Sequence, residues 1–337
     1  MEYRELGKSG LKVSTLCLGC WSFGGDGNSY WGITEQTDVD RQVQEALERG
    51  VNFFDTAYGY NGGGSEISLG KALTGKRDKA IICDKTPIFP MDQLGNYTEI
   101  IADTLKRLNT DYIDLLLIHW PKPDEQLMRA NIEAIKKIVD AGMVRAFGVS
   151  NFALKTMDIC EELGMKPCVD EMAYNLMSRG IEAEVMPYCI KNNIGVMAYM
   201  PLMQGVLTGK YANYNEIPDN RKRTVHFSWR GNTALGHTSP GAEAELETLL
   251  TGMKKLSGET GYTMAELAIA WLMKKPGVSS VIVGSRNTKQ LLENIKAIEI
   301  SLTPDVVSVL DAASASMLQK LGPVVDIWKN LSDTRVW

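Results

Sequence analysis

The run Ala80-Ile-Ile-Cys-Asp84, the amphipathic segment Tyr97–Leu108 and the run Ile113-Asp-Leu-Leu-Leu-Ile118 together decide how this chain folds. The two apolar runs have strand length, and the segment between them has helix length. Strand, crossover helix and second strand make the unit from which parallel sheets are built. Lys85 follows the first run directly and His119 follows the second. Parallel barrels keep their chemistry at that end of the strands.

Outward from this unit the same alternation extends to eight pairs. Strands are predicted over 15–18, 52–55, 80–84, 113–118, 146–149, 168–171, 195–198 and 280–283. Helices are predicted over 37–49, 65–73, 97–108, 126–141, 153–163, 182–192, 264–274 and 288–297. Thr37 reads as an N-cap, and Gly50, Gly142 and Gly164 as residues taking the left-handed conformation after a helix. An α/β barrel occupies about 250 residues plus insertions. The 337 residues therefore read as one domain, a (β/α)8 TIM barrel. A hairpin is expected over 1–13, an extra helix over 243–257, and long loops at the C-terminal face. Residues 200–241 form a loop rich in Asn, Arg and Gly, of a length that is usually functional or disordered. Residues 313–337 read as a C-terminal tail.

Hydrophobic residues make up 44% of the chain and aromatics 8%, ample for a core, and the net charge of −5 gives no basic surface for nucleic acid. The N-terminal stretch lacks an apolar segment of signal-peptide length. No run of about 18 uncharged apolar residues occurs either, so a cytoplasmic protein without a membrane span is expected. Cys17, Cys83 and Cys168 lie inside apolar segments and read as buried thiols. The Cys17-Leu-Gly-Cys20 spacing finds no second pair or histidine cluster, and no metal is expected.

Asp55 and Tyr60 in Phe-Phe-Asp-Thr-Ala-Tyr-Gly-Tyr join Lys85 and His119 at the ends of strands two, three and four. Reducing a carbonyl takes hydride at carbon and a proton at oxygen. A phenol, with a pKa of about 10, is a weak acid that a neighbouring ammonium strengthens. Lys85 can act so on Tyr60, Asp55 can keep Lys85 charged, and His119 can donate a hydrogen bond to the substrate oxygen. Tyr58 lies in the same loop and is a rival acid.

These four residues, with the segments that follow, resemble the aldo-keto reductase family over roughly residues 3 to 312. The resemblance implies hydride transfer between a nicotinamide and a carbonyl or alcohol carbon, with Tyr60 as proton donor, Lys85 and Asp55 tuning it and His119 orienting the substrate. The family's spacing of five between aspartate and tyrosine favours Tyr60 over Tyr58. By the same resemblance Ser150 and Asn151, in Gly-Val-Ser-Asn, bind the carboxamide, and Tyr199 stacks on the nicotinamide ring. The run Pro201-Leu202-Met-Gln-Gly205-Val-Leu207-Thr-Gly-Lys210 is similar to the family's pyrophosphate loop. After strand eight, Gly284, Ser285 and Arg286 would meet a 2′-phosphate, with Gln290, Glu293 and Asn294 near the adenine. The implied cofactor is NADP(H) rather than NAD(H).

One position departs from the family: Glu171 stands where a glutamine usually binds the carboxamide. An ionised carboxylate accepts hydrogen bonds but cannot donate one. Its charge beside the ring is expected to favour the oxidised nicotinamide, and so alcohol oxidation. Trp21, Tyr30, Trp31, Trp120 and Trp229 are candidate walls of the substrate pocket. The family takes aldehydes, ketones, sugars and steroids, and fold does not choose among them. Barrels of this kind also serve as NADP-binding β subunits of potassium channels, with little turnover, which is the alternative reading. A metal-dependent barrel hydrolase is disfavoured by three histidines without ligand spacing. The tail either folds over the opening or forms a subunit contact, leaving an oligomer open.

Overall fold

The computed structural model describes residues 1–230 and 236–337, so residues 231–235 of the predicted long loop lie outside the described residues. The chain opens with an antiparallel hairpin, β1 (Tyr3–Glu5) and β2 (Lys12–Ser14), as the turn at Lys8-Ser9-Gly10 predicts. Eight parallel strands then close into a barrel: β3 (Leu16–Gly19), β4 (Phe53–Asp55), β5 (Ile81–Thr86), β6 (Ile113–Ile118), β7 (Val144–Ser150), β8 (Val169–Ala173), β9 (Gly195–Tyr199) and β10 (Val278–Gly284). The sheet closes where β10 pairs with β3, Gly284 lying opposite Gly19.

Helices α1 (Gln36–Glu48), α2 (Gly64–Ala72), α3 (Tyr97–Leu108), α4 (Glu125–Asp140), α5 (Leu154–Glu162) and α6 (Val185–Asn192) connect the first seven barrel strands. The extra helix α7 (Glu243–Thr260) precedes α8 (Met264–Met273), and α9 (Thr288–Ile298) follows β10. Among the described residues, no helix is long and apolar enough to cross a membrane.

Two expectations are corrected. Helix α1 is capped at Glu35, with Thr37 already inside its first turn. Residues 313–321, expected in a tail, belong to α10 (Pro304–Leu321), whose start is set by the Thr303 side chain accepting from the Val306 N–H and by proline at the first turn. Within the long loop, 3-10 turns occur at Met203–Thr208, Tyr214–Glu216 and Asp219–Arg221. Gly50, Gly142 and Gly164 do adopt positive φ, at 82°, 77° and 66°.

Strand alternation splits the core into two compartments. Leu16, Leu18, Phe54, Ile82, Leu116 and Phe147 point outward and pack with the helices. Cys17, Phe53, Cys83, Leu115, Leu117, Ala146, Val169, Met197 and Ile282 point inward and fill the barrel. Leu6 and Val13 of the hairpin join the inward set, closing the lower end. All six cysteines are buried and unpaired.

Candidate active site

Two residues beyond each inward core position, the same side of the strand meets the upper mouth. Phe53 leads to Asp55, Cys83 to Lys85, Leu117 to His119, Val169 to Glu171 and Met197 to Tyr199. A period of two thus turns five separate strand ends into one site.

Lys85 is the centre of that site, with a side chain 0% exposed. Its Nζ pairs with Asp55 Oδ1, donates to the Thr56 carbonyl at 2.9 Å, and lies 3.5 Å from Tyr60 Oη and 3.4 Å from Glu171 Oε2. Burial opposes its charge, but Asp55 and Glu171 outweigh burial and hold the ammonium well above its ordinary range. Burial also pushes the Tyr60 phenol up; Lys85 pulls it down, and Asp55 and Glu171 raise it further. The expected net lowering of the phenol is therefore corrected. Two carboxyls share the cation that was to act on it, and desolvation is the larger effect.

His119 lies edge-on to Tyr60, ring centroids 5.7 Å apart. Burial, with Lys85 and Arg335 nearby, lowers its imidazole to about 3, so it stays neutral and keeps one N–H to donate. Tyr58 is separated from this cluster: Arg107 stacks over its ring at 4.9 Å and Phe89 meets it edge-on.

On the far side of the mouth, Asn151 links the strand ends. It adopts φ of 62°, which asparagine tolerates. Its Nδ2 donates to Ser150 Oγ at 2.9 Å and to the His119 carbonyl at 3.2 Å, and its Oδ1 accepts from Tyr199 Oη at 2.8 Å. Ser150 Oγ donates to the Glu171 carbonyl at 3.1 Å. Glu171 is buried, and burial together with Asp55 pushes its carboxyl well above the usual range, with Lys85 opposing.

Beyond β9 the backbone takes positive φ at Met200, Met203, Gln204 and Gly205, an unusual run for residues with side chains. Pro201 and Leu207 are buried there, Leu202 is half-buried, and Lys210 is exposed. Gly205 takes φ of 90°, a conformation that strains any residue carrying a side chain. After β10, Gly284 and Arg286 are exposed at the start of α9, which Asn287 caps by accepting from the Gln290 N–H at 3.0 Å. Gln290 and Glu293 are exposed, and Asn294 donates to the Gly284 carbonyl at 3.4 Å. Ser285 departs from expectation: it is buried and donates to Gln42 of α1 at 2.7 Å, so its hydroxyl hydrogen is committed inward.

Trp21, Tyr30 and Trp31 come together in one aromatic cluster. Trp21 stacks on Tyr30 at 5.4 Å and on Tyr60 at 5.8 Å, and Trp31 meets both Trp21 and Tyr30 edge-on. Trp120 lies apart from them, under Arg335 at 3.6 Å. Trp229 is 39% exposed on the long loop, and among the described residues it stacks on none of the other four.

Asn220 and Arg221 at the mouth escaped sequence reading. Tyr30 Oη contacts Gln204 Oε1 and the Asn220 carbonyl, both at 2.6 Å, bridging two loops. Arg221 stacks over Tyr30 and Trp31, with its Nη1 buried and without a hydrogen-bond partner among the described residues. The basic triplet Arg221-Lys-Arg223 in a long loop was the available signal. The tail folds across the loops of this face: Val225 N–H donates to the Ile327 carbonyl at 2.8 Å, and Thr156 N–H to the Trp337 carbonyl at 3.2 Å. Arg335 pairs with Asp326 through two contacts of 2.9 Å and so roofs the region beside His119.

With this geometry in hand, likeness to known proteins is informative. The model of the aldo/keto reductase family matches residues 15–315, and the chain belongs to that family. It is 32% identical over 304 residues to the aldo-keto reductase YhdN of Bacillus subtilis, covering 86% of this chain and 87% of that protein. It is 34% identical to a probable voltage-gated potassium channel subunit beta of Arabidopsis thaliana, over 92% of this chain and 96% of the relative. In fold it matches an aldo-keto reductase from Klebsiella pneumoniae solved in complex with NADPH, with a TM-score of 0.71 at 23% identity, covering 100% of this chain and 98% of the other.

Proposed function

We propose that this protein is an NADP(H)-dependent oxidoreductase that moves hydride between the nicotinamide and the carbon of an aldehyde, ketone, sugar carbonyl or the corresponding alcohol. The observation that carries the reading is the buried Lys85 ammonium held between Asp55 and the Tyr60 hydroxyl, with the neutral His119 ring alongside.

The chain's residues fit a dinucleotide. Arg221 Nη1, buried and without a partner among the described residues, and the exposed Lys210 offer positive charge along the loop after β9, where glycine lets a ligand approach the backbone. Arg286 and the N-terminus of α9 would receive a terminal phosphate. Ser150, Asn151, Glu171 and Tyr199 would hold the nicotinamide end. When bound, the cofactor supplies or accepts the hydride.

A phenol is protonated through the neutral range and burial of Tyr60 reinforces this, which leaves it a loaded acid for a substrate oxygen gathering negative charge. Lys85 stabilises the phenolate that forms. His119, held neutral, donates to the same oxygen and aligns the carbonyl. Tyr60→Phe is expected to retain NADPH binding, read by protein fluorescence, and to lower turnover of a carbonyl panel roughly 100- to 10,000-fold. Full activity in that variant would overturn the assignment.

The relatives named as potassium channel subunits support a second reading, a dinucleotide-binding regulatory subunit. A chain that binds NADPH tightly but turns over no compound in a broad carbonyl and polyol panel would favour it.

A further inference from the structure

One buried cation at the mouth faces two buried carboxyls. The ligand atoms of Asp55, Glu171 and Cys83 all lie within 4.8 Å of one another, around the fully enclosed Lys85 ammonium. Were both acids ionised, the cluster would carry an uncompensated negative charge in a low-dielectric interior, which protonation of one of them avoids. Asp55 is in direct contact with Lys85. Glu171 Oε2, by contrast, stands 3.4 Å from Nζ, enclosed and without a hydrogen-bond partner among the described residues. The proton belongs on the carboxyl with the poorer ion pair.

Among the described residues, the groups facing Glu171 offer it no second positive charge. Asp55 comes from β4, Tyr60 from the loop after it, Cys17 from β3, Cys83 and Lys85 from β5, and Tyr199 from β9. Ser150, its neighbour on β7, does not titrate. Lys85 is the one positive charge in this set.

We propose that Asp55 and Glu171 hold a single proton beneath Lys85, that Glu171 carries it, and that its O–H donates to the carboxamide oxygen of a bound nicotinamide. The inference rests on the dinucleotide reading of this mouth. It removes the negative charge expected beside the ring, and with it the ground for a preference for the oxidised cofactor. A neutral acid both donates and accepts, as an amide does.

The test measures NADPH affinity by fluorescence at about pH 7 and about pH 10 for the wild type and for Glu171→Gln. It adds infrared difference spectra of the carboxylic-acid C=O stretch without cofactor. The wild type is expected to weaken roughly tenfold at the higher pH, whereas Glu171→Gln stays flat. One acid band of the wild type is expected to be missing from Glu171→Gln, and from Asp55→Asn as well, because one carboxyl is then left to one ammonium; bands of the buried Asp84 and Asp170 are common to all three proteins and cancel in the wild-type-minus-variant difference. The same pH dependence in Glu171→Gln, or a wild-type-minus-variant difference without an acid band for either variant, overturns the proposal. Failure of the wild type to bind NADPH at neutral pH overturns the dinucleotide reading and the hydrogen bond with it, while the infrared band still decides where the proton sits.

Discussion

The lower and upper halves of the barrel interior are built from the same inward-facing rows and are almost equally closed to water, but they do opposite things to stability. Below, Phe53, Cys83 and Leu115 are 0% exposed and gain from apolar burial and close packing. Above, Asp55, Lys85 and Glu171 are 4%, 1% and 4% exposed, and each must be compensated by its neighbours. One step of the strand period separates a packing residue from a chemical one. The apolar layer, plugged from beneath by Leu6 and Val13, is the rigid seat on which the mouth's charges are held.

The sharpest way to break this contrast is Lys85→Met. It should abolish most turnover and cost about 4 kcal/mol of stability, because the Asp55–Glu171 pair, with its one proton, loses the cation that balances its remaining charge. Adding Asp55→Asn and Glu171→Gln should restore most of the melting temperature without restoring activity. If the single variant melts like the wild type, the mouth charges are not interdependent. In the lower layer, Leu115→Ala should cost about 3 kcal/mol in denaturant unfolding by leaving a cavity. Its remaining folded fraction should keep Tyr60-dependent turnover, and a loss of turnover beyond the loss of folded protein would show that the two halves are not separable. The smallest expected effect comes from the boundary between them. Gly148 faces inward on β7, where an added Cβ would sit 2.5 Å from Leu117 Cδ2 and 2.7 Å from Val169 Cγ1. Gly148→Ala should cost about 2 kcal/mol through overpacking, and an unchanged unfolding midpoint would mean that the layers slide past one another freely.

Much of this architecture was legible without coordinates. Apolar runs such as Ile113–Ile118 are too short for buried helices and too regular in their spacing to be loops, and β6 has the predicted bounds. Helix α10 escapes the sequence reading although Thr303-Pro304 marks its start, because that reading assigns no element to 298–312 and takes 313–337 as a tail. Thr37 misled as a cap because polar residues also occupy the first turn of a helix, and propensity alone does not choose between adjacent positions.

The order of strands and helices, the residue types at the strand ends and the family to which they point were determined by the sequence itself, since local periodicity and spacing carry that information. Only the tertiary structure decided that Glu171 reaches Lys85, that Ser285 turns toward Gln42, and that Arg335 comes to lie over Trp120 beside His119. Those contacts join residues 86, 243 and 215 positions apart, as their numbering gives. Barrel closure and the path of the last segment set such distances, and no local pattern records them. The balance of burial against charge that raises the Tyr60 phenol arises in the same way, because desolvation is a property of the assembled mouth.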